Sequence, residues 1–81
     1  MSDIFNLIRE EAVNMINVTI NGQDNDIEDG FCIADYLNQI QVDMKFIAVA
    51  HNGEIIEKED YFKTMLNEGD KLEIVRPVGG G

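Results

Sequence analysis

Ile16, Val18 and Ile20 alternate with Asn17, Thr19 and Asn21, and the run stops on Asn21-Gly22. Alternation of this kind gives a strand with one buried face. Asn-Gly is the pair that a two-residue type I′ turn selects, because both central residues need positive φ. The chain is therefore expected to open its fold with a tight antiparallel hairpin. The returning strand, Asp24 to Glu28, carries Ile27 among charges. Such charges suit a sheet edge, where they discourage addition of another strand. A hairpin of this design needs an apolar element to cover its Ile16-Val18-Ile20 face.

The cover comes next in the chain. Ile33, Leu37 and Ile40 recur at i, i+4 and i+7 with Tyr36 alongside, which predicts a helix over 33–40 with one apolar stripe. Asp29-Gly30 precedes it, and Asp29 is expected to accept a hydrogen bond from a free N–H at the helix start. Phe46 to Ala50 predicts a third strand, with Ile47 and Val49 towards the core and Ala48 and Ala50 on the other face. Asn52-Gly53 is a second tight-turn signal, and Glu54 to Glu57 reads as a short return strand. Lys58 to Leu66 is expected to be irregular or a single turn, plugging the end of the barrel with Tyr61, Phe62 and Leu66. Glu68-Gly69-Asp70 then turns the chain into a last strand, Lys71 to Val75, whose Leu72 and Ile74 point inward.

The order is hairpin, helix, strand, short strand, loop, strand. The crossover through the helix should be right-handed. This is an α+β pattern: a β-grasp with a mixed sheet of four to five strands and one helix packed across one face. The opposite face is left free for partners.

Size and charge narrow the function. The chain has 81 residues, enough for one domain near the lower limit for an unstapled core. Residues 1–14 are expected as an N-terminal extension, either a short helix with Ile4, Phe5, Leu7 and Ile8 on one side or a flexible arm. Residues 15–76 form the β-grasp domain, and 77–81 a flexible tail. Cys32 is alone, so neither an internal disulfide nor a cysteine-based zinc site is expected, and a cytoplasmic location fits. The net charge of −10 repels phosphate backbones and argues against nucleic acid, while steering the chain towards basic protein surfaces. No apolar run is long enough for a membrane span. Met1 to Met15 does not read as a secretory signal.

Signals of catalysis are nearly empty. Cys32, beside the helix stripe, reads as a small core residue and not as a nucleophile. His51 reads as a surface or partly buried strand residue, since a catalytic pair would need a nucleophile within hydrogen-bond reach of it. The carboxylates look like solvated faces. The stretch from Asp24 to Asp29 lacks the spaced ligands of a Ca²⁺ loop, and the glycines fit neither phosphate-binding spacing. No metal and no bound cofactor are expected.

The distinctive chemistry lies at Val78-Gly79-Gly80-Gly81. Glycines without Cβ can thread a narrow channel where side chains would clash. Pro77 fixes φ and favours an extended exit from the last strand. The expectation is an arm that offers the Gly81 carboxylate to another protein's active site. A free carboxylate is a poor acyl donor, but adenylation by ATP makes a mixed anhydride that sulfur can attack, giving a thiocarboxylate. Ala48, Ala50, Val75 and Arg76, near the open face and the tail root, are the expected docking surface.

From Met15 to Gly81 the chain resembles the ThiS family of sulfur carriers. The resemblance rests on Met-Ile-Asn-Val-Thr-Ile-Asn-Gly (Met15 to Gly22), the helix from Ile33 to Ile40, and the run Ala48 to Ile56. Glu68-Gly69-Asp70 and the Val78 to Gly81 end complete it. The first fourteen residues depart from the family. The resemblance implies a ubiquitin-like β-grasp with no catalytic activity of its own. It implies a ThiF-like adenylyltransferase that uses ATP at Gly81, a cysteine desulfurase as sulfur source, and a ThiG-like thiazole synthase as acceptor, in thiamin biosynthesis. Gly81 is the modified residue and Gly80 its neighbour in the tail. A sulfur carrier of molybdopterin synthesis has the same fold and terminus, though with a longer segment between first strand and helix. A protein modifier joined to lysines through Gly81 uses the same activated carboxylate. A plain interaction module with an incidental glycine end fits the strand-proline-glycine order least well.

Overall fold

The computed structural model describes residues 14–77. Strand β1 (Met15–Ile20) turns through Asn21-Gly22 into β2 (Gln23–Glu28), in antiparallel register from Met15 opposite Glu28 to Ile20 opposite Gln23. Asn21 and Gly22 both have positive φ, 50° and 83°, as the type I′ turn requires. Helix α1 (Ile33–Gln39) crosses to β3 (Ala48–His51), and Asn52-Gly53, again both at positive φ, turns the chain into β4 (Glu54–Ile56). Single 3-10 turns occupy Met44–Phe46 and Lys58–Asp60. Strand β5 (Lys71–Val75) enters the centre of the sheet, whose order is β2-β1-β5-β3-β4. It runs parallel to β1 and antiparallel to β3. This is a mixed five-stranded sheet with one helix on one face, at the upper count of the four to five strands that the sequence predicts.

The core follows the alternation. Ile16, Val18 and Ile20 of β1, Ile27 of β2, Val49 of β3 and Leu72 of β5 are buried against Ile33, Tyr36 and Leu37 of α1. Ile47, Tyr61 and Leu66 close the rim, and Cys32 is buried in the same cluster. Lys58 clasps that rim: its Nζ donates at 2.8 Å to the carbonyls of Met44 and Ile47, joining the two 3-10 turns.

Several local expectations are corrected. Asp29 does not cap the helix. The chain makes a turn at Asp29-Gly30, and Cys32 takes the N-cap position, its N–H donating to Asp35 Oδ2 at 3.0 Å. That is one half of a capping box, with Asp35 at N3. The helix ends one residue early, and Ile40 is exposed beyond it. The third strand begins at Ala48 instead of Phe46, because Asp43 Oδ1 accepts from the Lys45 N–H and winds Met44–Phe46 into a 3-10 turn. Phe46 is left exposed. Strand β4 ends at Ile56. Tyr61 and Leu66 plug the rim as expected, but Phe62 points to solvent, since in a tight turn adjacent residues cannot share one side. Residues 1–13 of the expected extension lie outside the described residues.

One polar group is buried with the core. Asp70, at the start of β5, has an Oδ2 that lies 2.7 Å from His51 Nε2 and accepts the Asn67 N–H at 2.9 Å. Its Oδ1 accepts from Asn52 Nδ2 at 3.2 Å. A carboxylate can only accept, so the His51 proton sits on Nε2. Burial pushes the Asp70 carboxyl up. The hydrogen bonds from His51, Asn67 and Asn52, with the charge of His51, outweigh that and hold it below the ordinary carboxylate range.

Two measurements check this account. Leu72, fully buried on the central strand, should cost about 2–5 kcal/mol of unfolding free energy when replaced in Leu72→Ala. Urea denaturation reads this directly, and a cost under about 1 kcal/mol would contradict a close-packed centre. The folded Asp70 carboxyl binds a proton less readily than the unfolded one. Its stabilisation is therefore complete above the ordinary value of 3.8 and is lost as pH falls through the lower folded value. Acid unfolding followed by circular dichroism should show that loss, and Asp70→Asn should flatten it while lowering stability at neutral pH by about 1–3 kcal/mol. Equal acid slopes in the two proteins would contradict the assignment.

Candidate functional site

Opposed residues of paired strands point to the same side of a sheet, so the ladder tells which side chains share the face away from α1. Ala48 lies opposite Val75, and Ala50 lies opposite both Glu73 and Ile55. These residues alternate with the buried Val49, Leu72 and half-buried Ile74, and so face outward. The result is an apolar patch of Ala48, Ala50, Ile55 and Val75 across three strands. Ile55 is 73% exposed and Val75 58% exposed. Exposed β-branched residues on the two strands that flank β3, with small alanines between them, are the kind of surface that marks a binding site.

Ile55 is missing from the docking set expected from the sequence. A signal for it was present: a two-residue turn at Asn52-Gly53 puts Ile55 opposite Ala50. Arg76 belongs elsewhere. It lies two residues beyond Ile74 on the helix side of the sheet, at the rim of a cavity of about 350 Å³ lined by Ile20, Tyr36, Ile40, Val42 and Ile74. Three of the four expected docking residues thus share the open face, and the fourth stands at the tail root on the other side.

The open face is divided in charge. Asp24, Asp26 and Glu28 alternate with Ile27 and project outward from β2, the edge strand. Thr19 Oγ1 donates to Asp24 Oδ1 and Asn17 Nδ2 to Asp26 Oδ1, both at 3.4 Å, which holds the acidic strip beside β1. An apolar part and an acidic strip therefore sit on one continuous surface, with Lys71 and Glu73 of β5 between them. Among the described residues, no group of three His, Cys, Asp or Glu is arranged to hold a metal ion. No helix among them is long and apolar enough to cross a membrane.

The root of the tail is set by β5. Val75 pairs with Ala48 on one side. On the other, Asn21 Oδ1 accepts the Ile74 N–H at 2.8 Å, and Asn21 Nδ2 donates to the Ile74 carbonyl at 3.3 Å. Arg76 and Pro77 follow, exposed. Val78, Gly79, Gly80 and Gly81, the residues to which the sequence assigns the chemistry, lie outside the described residues.

Comparison with known proteins identifies relatives of this chain. The chain is 45% identical over 49 residues to the sulfur carrier protein ThiS of Bacillus subtilis, covering 60% of this chain and 74% of that one. It is 36% identical over 66 residues to a thiazole synthase of Paramagnetospirillum magneticum, covering 82% of this chain and 20% of that protein. The chain thus spans about a fifth of that relative's length. The crystal structure of a thiamine biosynthesis protein (ThiS) from Geobacter metallireducens superposes with a TM-score of 0.70 at 30% identity, over 82% of this chain and 100% of that one. The ThiS family profile itself matches residues 12–81, from just before β1 through the final glycines, and the chain belongs to the ThiS family.

Proposed function

We propose that this chain is the sulfur carrier of thiamin biosynthesis, working through the carboxylate of Gly81. In the first step a carboxylate oxygen attacks the α-phosphorus of ATP, and pyrophosphate leaves. The partner for that step is a ThiF-like adenylyltransferase. The terminal sulfur of a persulfide, supplied by a cysteine desulfurase, then attacks the acyl carbon and expels AMP, and a thiol cleaves the resulting acyl disulfide, leaving as a disulfide with the group that carried the persulfide. The product is a thiocarboxylate, a polarisable nucleophile that hands its sulfur to a ThiG-like thiazole synthase. The carrier supplies recognition and delivery, and its partners supply the catalysis. A cytoplasmic setting suits a chain whose one thiol is buried and unpaired.

The observation that carries the reading is the family match running through the glycine end, joined to a β5 that leads directly into it. The thiazole synthase of Paramagnetospirillum magneticum supports the acceptor: a stretch like this chain fills a fifth of it, which is what a carrier joined to its acceptor would give. The divided open face suits such partners. Its apolar half offers area to bury, and its acidic half favours a basic rim. The Val78-Gly79-Gly80 segment, lacking bulky side chains near its end, then reaches into the partner's site.

Three results test the proposal. Incubation with the adenylyltransferase, ATP and a sulfur source should give a species heavier by the difference between oxygen and sulfur in intact-mass analysis. Branched conjugates to lysine instead would identify a protein modifier. Deleting Gly81 should leave the circular dichroism spectrum and urea midpoint unchanged, since the core described above is complete without it, and should abolish charging. Unfolding of the truncated chain would contradict a free arm. Ala50→Asp places a charge in the middle of the apolar patch and should raise the Kd for the adenylyltransferase about tenfold or more. An unchanged Kd would remove the open face from the docking surface.

A further inference from the structure

Strand β5 is held on its β1 side by a short parallel ladder. The Thr19 N–H donates to the Asp70 carbonyl and the Asn21 N–H to the Leu72 carbonyl, both at 2.9 Å. Continued one step, a parallel ladder would have the Ile74 N–H donate to the main-chain carbonyl of residue 21, and the Ile74 carbonyl accept from the N–H of residue 23. Strand β1 has already turned away at Asn21-Gly22. The side chain of Asn21 makes both missing bonds: Oδ1 accepts the Ile74 N–H at 2.8 Å, and Nδ2 donates to the Ile74 carbonyl at 3.3 Å. One amide side chain stands in for a strand residue that is not there.

The other Asn-Gly turn does the same at the opposite end of the strand. Asn52 Oδ1 accepts the Lys71 N–H at 2.8 Å while its own N–H donates to the Lys71 carbonyl at 2.8 Å. The two asparagines thus pin the start and the finish of β5. They differ in what lies beyond. After Lys71 comes the rest of the strand, whereas after Ile74 come Val75, Arg76 and Pro77, and Pro77 has no N–H to give. Asn21 is therefore the last tie on the β1 side before the tail.

From this we infer that Asn21 is a positioning residue for the carrier's chemistry: its side-chain amide fixes the direction in which β5 releases the tail towards a docked enzyme. The inference rests on the sulfur-carrier reading and goes beyond it, because it assigns a role to a turn residue distant in sequence from Gly81. Asn21 is not one of the residues of the apolar patch. It acts through Ile74. Loss of the amide leaves docking intact and lets the docked tail spend less time in the partner's site. The rate at saturation falls, and the concentration needed for half-saturation does not rise. A merely structural role would behave in the opposite way. A smaller folded fraction raises the apparent KM for the carrier and leaves kcat untouched.

The test uses the full chain as substrate of the ThiF-like adenylyltransferase, with pyrophosphate release as the readout. Asn21→Gly keeps the positive φ that the turn needs and removes only the amide. Asn21→Asp keeps the acceptor for the Ile74 N–H and removes the donor. Asn52→Gly makes the same deletion at the far end of β5. The expected result for Asn21→Gly is a kcat about three- to tenfold lower with KM within about twofold of the parent, and faster hydrogen exchange at the Ile74 amide. Asn21→Asp should retain Ile74 protection and fall between the two. Asn52→Gly should keep the parent kcat. An unchanged kcat in Asn21→Gly, or an equal fall in Asn52→Gly, would overturn the inference and leave the carrier reading standing. Failure of the parent chain itself to be charged would overturn that reading and the inference with it.

Discussion

Two hairpins distant in sequence become one sheet because Lys71–Val75 inserts between them. The β1-β2 hairpin and the β3-β4 hairpin make no shared ladder. Each pairs with β5, one in parallel and one antiparallel. Everything that positions the tail follows from that insertion. The helix can cover a single continuous apolar face only because Leu72 bridges Val18 and Ile20 on one side to Val49 on the other. The open face is continuous for the same reason. Isolated two-stranded hairpins are marginal in water, so the central strand completes the fold.

The start of β5 is correspondingly well tied. Asp70 collects three hydrogen bonds from His51, Asn52 and Asn67, while its carbonyl accepts from Thr19. A buried carboxylate without such partners would be strongly unfavourable. With them it links both hairpins to the turn that launches the central strand. The Glu68 carboxylate, which accepts the Asn17 N–H at 2.9 Å, adds a further tie from the same turn.

Much of this was legible in the sequence, and the boundary between legible and illegible is physical. Both Asn-Gly turns, the alternation in β1 and the helix stripe are local patterns, set by φ preference and by the periods of strand and helix. They sit where the sequence places them. The failures involve choices made by distant or competing groups. Asp29 looked like a cap, but the carboxylate that accepts at the helix start is that of Asp35, from the Cys32 N–H. Phe46 looked like the start of a strand and Phe62 like core, but short turns take the first out of β3 and leave the second exposed. His51 looked isolated because its partner, Asp70, is distant in the chain. The open face was half legible: that Ala48, Ala50 and Val75 share it follows from alternation alone, whereas Ile55 and the separate position of Arg76 needed the ladder register.

The use of side-chain amides as structural ties also gives the protein a built-in chemical lifetime. In an Asn-Gly pair the unhindered glycine nitrogen can attack the side-chain carbonyl, releasing ammonia and, after hydrolysis, leaving aspartate or isoaspartate; asparagine is for this reason a thermolabile residue. At position 21 that event would replace a donor with an oxygen facing the Ile74 carbonyl. At position 52 it would set a second carboxylate where Nδ2 now lies 3.2 Å from Asp70 Oδ1. Ageing would thus strike both ends of the central strand, loosening its hold on β1 at one end and introducing like-charge repulsion at the other.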